Sequence, residues 1–190
     1  NKHALQDYQF CYERVYPYAD FATINISSPN TPGLRELQSD SYLENLIHSM
    51  KNLQAKYQQR WRRNVPLLVK VSIDLSDEQL EFLINTCAGY GVAGVITSNT
   101  SIDHESVFHV EHGKEQGGLS GAPIHQRAVE QVRRIHQLTN GNMPIIGVGG
   151  IGSAEQAKAM FAAGASLIQI YTSLIYKGPK VISEILRNIQ

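Results

Sequence analysis

Five short apolar runs alternate with longer amphipathic stretches along the chain, and this alternation is the feature that most constrains its fold. The apolar runs contain many β-branched residues, as strands do, and lie near residues 22–26, 66–73, 93–97, 144–148 and 167–171. The stretches with helical periodicity lie near residues 4–17, 39–60, 77–90, 123–138, 154–164 and 179–188. Strands that alternate with helices in this way predict an α/β fold built on a parallel sheet.

The number of strands suits either a small open sheet or part of a closed barrel. A (β/α)8 barrel usually needs about 250 residues, whereas this chain has 190. The partial barrel is favoured because the first helical run has no strand before it and because polar residues cluster where strands end. A barrel keeps its active site at those ends. We therefore predict that residues 1–190 form one domain, the C-terminal portion of a TIM (β/α)8 barrel with about five βα units, whose N-terminal strands are absent from this chain.

Charge and composition argue against several classes of function. Seventeen basic and seventeen acidic residues cancel, so the chain has no general attraction to nucleic acid or to anionic membranes. No apolar run reaches the length of about 18 residues that a membrane-spanning helix requires. Cys11 and Cys87 match no metal or redox spacing, and we expect both thiols to be buried.

The segment after the first predicted strand is the most informative motif. Residues 25–35 read NISSPNTPGLR, so that hydroxyl and amide side chains stand between two prolines. Proline fixes its own φ angle and restricts the residue before it, which leaves the segment few conformations. An ordinary turn can have a similar composition. However, rigidly held neutral polar groups at the end of a strand suit a planar ligand with carbonyl and NH groups.

This string resembles the catalytic loop of the dihydroorotate dehydrogenases, and its serine at Ser28 resembles the class 2, quinone-dependent branch. The resemblance implies oxidation of dihydroorotate to orotate in pyrimidine biosynthesis. It makes Ser28 the base that removes a proton from carbon 5, with a relay through Thr31 and water. The hydride from carbon 6 would pass to nitrogen 5 of FMN, and the electrons then to quinone. The residues themselves show only a well-placed hydroxyl, since no His or carboxylate in the loop activates it as in a hydrolase triad.

The polar groups at strand ends form the expected substrate site. Residues 98–100 read SNT and follow the third predicted strand. Taken alone, such a sequence usually caps a strand. The resemblance implies that the pyrimidine ring and carboxylate of dihydroorotate are hydrogen-bonded by Asn25, Asn30, Asn99 and Thr100.

Lys70 is unusual because it lies inside the apolar strand LLVKVSI of residues 67–73. A buried, unpaired ammonium group is costly, so this lysine needs an anionic partner or an escape to water at the rim of the sheet. The resemblance places it near the pyrimidine end of a flavin, where its charge would stabilise the reduced ring. We therefore count Lys70 among both the catalytic and the cofactor-binding residues.

Two glycine clusters predict a phosphate-bearing ligand. Residues 147–153 read GVGGIGS and residues 116–123 read QGGLSGAP. Glycines let backbone N–H groups approach a phosphate closely. The first cluster also fits the spacing of a dinucleotide motif, but that motif belongs to the first βαβ unit of its fold. The resemblance implies FMN, bound by Asn25, Lys70, Ser98, Gly121, Gly150, Tyr171 and Thr172.

Two alternatives and several further expectations accompany this interpretation. A tRNA-dihydrouridine synthase would need a cysteine at the substrate face and a basic surface, and an inactive fragment is the other alternative.

We expect no metal site, because His104, His109 and His112 lie in an irregular loop without helical spacing. The resemblance also implies peripheral attachment to the cytoplasmic side of the membrane through an N-terminal region outside this chain, and no nucleic-acid partner. We expect the chain alone to be inactive.

Overall fold

The computed structural model describes residues 3–30, 34 and 40–189. Its strands are β1 (Ala22–Asn25), β2 (Leu67–Val71), β3 (Gly94–Thr97), β4 (Ile145–Val148) and β5 (Leu167–Gln169). Its helices are α1 (Ala4–Val15), α2 (Asp40–Trp61), α3 (Asp77–Gly89), α4 (His125–Leu138), α5 (Ala154–Ala162), α6 (Thr172–Lys177) and α7 (Lys180–Asn188). Two short 3-10 turns, Glu105–Val107 and Ala122–Ile124, lie between β3 and α4.

The five strands form one parallel sheet in sequential order, β1-β2-β3-β4-β5. Crossovers between parallel strands are right-handed, so a sequential order places the connecting helices on one face of the sheet. A doubly wound sheet instead reverses its strand order and carries helices on both faces. The α/β prediction is confirmed, and the topology is that of neighbouring units of a (β/α)8 barrel.

The two faces of the sheet differ in burial. On the helix-covered face, Ile24, Val69 and Val95 are at most 3% exposed and belong to the main apolar core. On the other face, Lys70 and Ile146 are half-buried, whereas Leu68 and Ile96 are 8% and 3% exposed and lie outside the main core. This second face corresponds to the interior of a closed barrel, which is normally filled with packed side chains.

The observed helices agree with the predicted ones at α3 and differ from them at α4 and α6. Helix α3 begins with a capping box in which Ser76 and Gln79 bond each other's backbone N–H, as its sequence favours. Helix α4 begins at His125 and not at Pro123, because residues 122–124 form a 3-10 turn. Helix α6 was not predicted, since its six residues are too few to show an apolar period.

The cysteine prediction was half wrong. Cys87 is buried in the core, and this burial raises the pKa of its thiol to about 12. Cys11 is exposed, because it lies on the solvent side of α1. Within the described ranges, no helix has the length and apolar character that crossing a bilayer requires. The same residues contain no group of three or more potential metal ligands.

Candidate active site

A cleft of about 790 Å³ lies at the carboxyl ends of strands β2 to β5. Its volume is within the range of about 300–1,000 Å³ that is usual for small-molecule sites. Eight of the site residues expected from the sequence line it: Lys70, Ser98, Asn99, Thr100, Gly121, Gly150, Tyr171 and Thr172. Residues from five separate segments therefore meet at the edge of the sheet where a barrel holds its ligands.

Asn25 and Asn99 meet beside this cleft through a serine that sequence reasoning missed. The Nδ2 group of Asn99 donates to Asn25 Oδ1 at 3.3 Å and to Ser27 Oγ at 3.0 Å. The hydroxyl and the backbone N–H of Ser27 also donate to Asn25 Oδ1, at 3.1 Å and 3.4 Å. Because three donors converge on this oxygen, the Asn25 amide is held with its NH2 group available to a ligand. Ser27 is completely buried, and its position inside the 25–35 motif was its only signal.

Pro29, in the 25–35 motif, lies against the loop that follows β3. A side chain added at Gly118 would place its Cβ 3.0 Å from Pro29 Cγ and 1.9 Å from Thr100 Oγ1, so these three residues lie against one another. Ser28 is half-buried, and its Oγ accepts a hydrogen bond from the backbone N–H of Asn30 at 3.3 Å. Asn30 itself is exposed. Thr31, the expected relay residue, lies outside the described residues.

Gly121 and Gly150 form a close backbone contact, which we call the glycine cradle. Both have positive φ angles, +80° and +64°, a conformation that glycine adopts without strain. A Cβ atom at Gly150 would stand 2.5 Å from the carbonyl oxygen of Gly121, and one at Gly121 would stand 3.0 Å from Thr172 Cγ2. Thr172 is in turn hydrogen-bonded to Ser120 at 3.0 Å. A side chain at Gly150 would overlap a backbone carbonyl, and one at Gly121 would strain a positive φ angle and displace Thr172, so glycine is favoured at both positions.

Side chains from two helices hold the loop beside the cradle. Ser173 Oγ donates to the carbonyl of Ile151 at 2.6 Å, and Lys177 Nζ donates to that of Gly152 at 2.7 Å. The N–H of Gly152 donates to Gln156 Oε1 at 2.8 Å. These contacts join residues up to 25 positions apart, which is why the sequence did not reveal them. The loop is thus held by three hydrogen bonds to side chains of α5 and α6.

Lys70 is the cation on the sheet side of the cleft. It lies in register with Asn25 on β1 and with Ile96 on β3. Desolvation by burial lowers the pKa of its ammonium group. Lys70 takes part in none of the ion pairs that the described residues form. A partly desolvated ammonium group without a carboxylate partner is suited to an anionic or electron-rich ligand.

Comparison with known proteins agrees with this geometry. The family profile described as "Dihydroorotate dehydrogenase" matches residues 1–190. A relative from Aliivibrio fischeri (strain MJ11) is 44% identical over 184 residues, which are 97% of this chain and 55% of the relative. A relative from Klebsiella pneumoniae (strain 342) is 45% identical over 188 residues, which are 99% of this chain and 56% of the relative. Both are named "Dihydroorotate dehydrogenase (quinone)".

The solved structures show the same fold. A ligand-free DHODH from Eimeria tenella has a TM-score of 0.92 and 34% sequence identity, and the match covers 98% of this chain and 55% of that one. The DHODH from the same organism in complex with ferulenol also has a TM-score of 0.92, with 32% identity over 97% of this chain and 53% of that one. Fold and cleft together thus define a part of a (β/α)8-barrel protein.

The chain belongs to the dihydroorotate dehydrogenase family. This family is flavin-dependent in general, and the assignment does not favour the dihydrouridine synthase alternative. The chain spans about half the length of the curated relatives it matches.

Proposed function

We propose that the complete protein containing this chain oxidises dihydroorotate to orotate in pyrimidine biosynthesis, with FMN as its flavin and a quinone as electron acceptor. The observation that carries the proposal is the single cleft that joins the glycine cradle to Lys70 and Asn99. The printed name of the quinone-type relatives supports the same activity. We further propose that residues 1–190 are one partial barrel domain, completed by the rest of the protein.

The described residues fit FMN. Both glycines of the cradle line the cleft without a side chain of their own, which lets a phosphate approach their backbone closely. Lys70 supplies a positive charge at the other side of the cleft. The proposed FMN ligands are Asn25, Lys70, Ser98, Gly121, Gly150, Tyr171 and Thr172. When bound, FMN would supply the hydride acceptor that no amino-acid side chain can provide.

The substrate site is proposed to consist of Asn25, Asn30, Asn99 and Thr100. Because Asn25 Oδ1 accepts from three donors, the NH2 group of this residue would donate to carbonyl or carboxylate oxygens of a ligand. Sites made of hydrogen-bonding groups reject ligands that leave those groups unpaired. A pyrimidine with ring carbonyls, ring NH groups and a carboxylate can pair with all of them.

Ser28 is proposed to take the proton from carbon 5 of dihydroorotate. The N–H of Asn30 already donates to Ser28 Oγ, so it would stabilise negative charge on this oxygen. No imidazole or carboxylate contacts Ser28 within the described part of the chain, which separates the site from a hydrolase triad. Thr31 is proposed to pass the proton on toward solvent.

Three further proposals deal with the electron acceptor, the membrane and nucleic acid. We propose a quinone acceptor from the relatives' name. Peripheral attachment to the cytoplasmic face of the cell or inner membrane is proposed through a region outside this chain. We propose no nucleic-acid partner, because the 17 basic and 17 acidic residues leave no net positive charge.

Anaerobic mixing of the complete protein with dihydroorotate tests the proposed function. We expect the flavin colour to bleach, one orotate to form for each flavin, and the colour to return when a soluble quinone is added. A protein that contains FMN but is not bleached by dihydroorotate would contradict the proposal.

Gly150→Ala should abolish most FMN binding in the complete protein. The new Cβ would strain a positive φ angle and collide with Gly121 O. Together these effects amount to about 3 kcal/mol, or about 100-fold in the dissociation constant. Gly91→Ala is the matched control, because Gly91 has φ +65° but nothing within 4 Å of the added atom. Titration with FMN, followed by flavin fluorescence, should show a large loss for the first variant alone. Equal FMN affinities of the two variants would contradict phosphate binding at the glycine cradle.

Lys70→Met should lower the reduction potential of the bound flavin. Two charges about 5 Å apart at an effective dielectric of about 20 interact by about 3 kcal/mol, which is about 70 mV for a two-electron couple. Lys51→Met is the control, because burial also lowers the pKa of Lys51 although it lies away from the cleft and bonds Gly91 O. Potentiometric titration of both variants with FMN fully bound measures the effect. An unchanged potential in Lys70→Met would assign this lysine a purely structural role.

A further inference from the structure

Asp74 lies just beyond β2 and joins two loops without lining the cleft. Its side chain is 12% exposed. One carboxylate oxygen accepts from Ser101 Oγ at 2.5 Å and from Arg127 Nη2 at 3.1 Å. The other accepts from the backbone N–H of Ile102 at 3.0 Å. The carboxylate therefore fixes the two residues that directly follow Thr100.

Ser101 carries this constraint on to the second glycine cluster. It is completely buried and exchanges two backbone hydrogen bonds with Leu119, at 3.0 Å and 2.7 Å. Leu119 lies two residues before Gly121 of the cradle. On its other side, the Asn99–Thr100 pair is held by the bond from the N–H of Asn99 to Val71 O at 3.1 Å. The pair is thus fixed from β2 at one end and from Asp74 at the other.

We infer that Asp74 is a positioning residue that holds Asn99 and Thr100 in place relative to the glycine cluster of residues 116–123. The inference rests on the proposed function, because it assigns Asn99 and Thr100 to the substrate. Asp74 does not line the cleft and acts through Ser101 and Ile102. Its loss should therefore weaken the binding of the pyrimidine ligand far more than that of FMN.

A carboxylate is needed here because both of its oxygens accept hydrogen bonds. The amide of Asp74→Asn has the same shape but only one acceptor. Its NH2 group would face either Ile102 N–H or the Ser101 hydroxyl, which already accepts from Arg127 and from the N–H of Asp103. Whichever way the amide turns, the side chain at position 74 therefore loses its bond either to Ser101 or to Ile102. Arg127 keeps Asp103 as an ion-pair partner at 3.3 Å.

The experiment compares Asp74→Asn and Ser101→Ala with Glu130→Gln in the complete, FMN-loaded protein. Glu130→Gln removes a surface ion pair with Arg133 on the same helix and serves as the control. For each variant, FMN content, melting temperature, kcat and KM are measured, and orotate affinity is measured from its effect on the flavin spectrum. We expect Asp74→Asn to raise both KM and the orotate dissociation constant about 10-fold, with FMN content retained. Ser101→Ala should change both in the same direction by less.

The outcomes separate this inference from the proposed function. If the wild-type protein contains FMN and shows no dihydroorotate-dependent reduction, the proposed function fails. If the wild type is active and Asp74→Asn leaves orotate affinity unchanged, the positioning role is overturned. Parallel loss of FMN, orotate affinity and melting temperature would also overturn it, since it would show general destabilisation. Should Asp74→Asn fail to fold, Ser101→Ala decides between these results.

Discussion

Ser28→Ala in the complete protein is expected to slow reduction of the flavin by dihydroorotate at least about 100-fold, the usual effect of losing a general base. The variant should still bind FMN, because Ser28 lies outside the cleft that contains the glycine cradle. It should also bind orotate nearly as well as the wild type, since the Asn25–Ser27–Asn99 contacts do not involve its hydroxyl. Stopped-flow absorbance of the flavin measures the rate directly.

Two further variants show whether the loss is specific. Ser49→Ala removes a hydroxyl that bonds Asn45 on α2, and flavin reduction in this variant should proceed at the wild-type rate. Ser28→Cys keeps a group that can take a proton, and its rate should rise with pH as the thiol ionises. Near-normal reduction in Ser28→Ala would exclude this residue as the proton acceptor.

Much of the fold could be predicted from the sequence because local patterns specify it. The apolar run at residues 93–97 became β3 (Gly94–Thr97), and the run at 144–148 became β4 (Ile145–Val148). Parallel strands buried by helices are nearly continuous in apolar residues, so each run stands out from its neighbours. Helix α6 has no such signal, since it is one and a half turns long and follows β5 almost directly.

The segments that form the site could be predicted from sequence motifs, but the contacts between those segments could not. Glycine clusters and the 25–35 loop indicate which segments carry chemistry, yet they do not show how those segments meet. A Cβ added at Gly150 would stand 2.5 Å from the carbonyl oxygen of Gly121, and the carboxylate of Asp74 bonds residues 27 and 53 positions away. Ser27 and Asp74 were missed for this reason, since their functions depend on partners that only folding brings near.

Apolar side chains are exposed at both ends of the chain's sheet, and they bear on how the chain behaves by itself. Beside β1, Tyr18 is 85% exposed and Phe21 is 52% exposed. Leu167 of β5 is 61% exposed, and in the following helix α6 the exposed fractions are 68% for Ile175 and 85% for Tyr176. Within the described residues, β1 and β5 each pair with one neighbour only. Unpaired edges with apolar surroundings favour association with other chains.

The 190-residue chain by itself is therefore expected to aggregate, to lose FMN and to show no dihydroorotate oxidation. The cradle and Lys70 are present, but Lys70 and Ile146, on the face that would line the barrel interior, are only half-buried, so water reaches the ligand site. Water weakens the electrostatic and hydrogen-bonding contacts on which both FMN and the pyrimidine depend. Adding the rest of the complete protein, as a fusion or as a separate chain, should restore solubility, flavin colour and turnover together. Size-exclusion chromatography, flavin absorbance and dihydroorotate-dependent dye reduction measure these three properties. A soluble, yellow and active monomer of the chain alone would show that its five strands suffice, and the partial-barrel proposal would then be wrong.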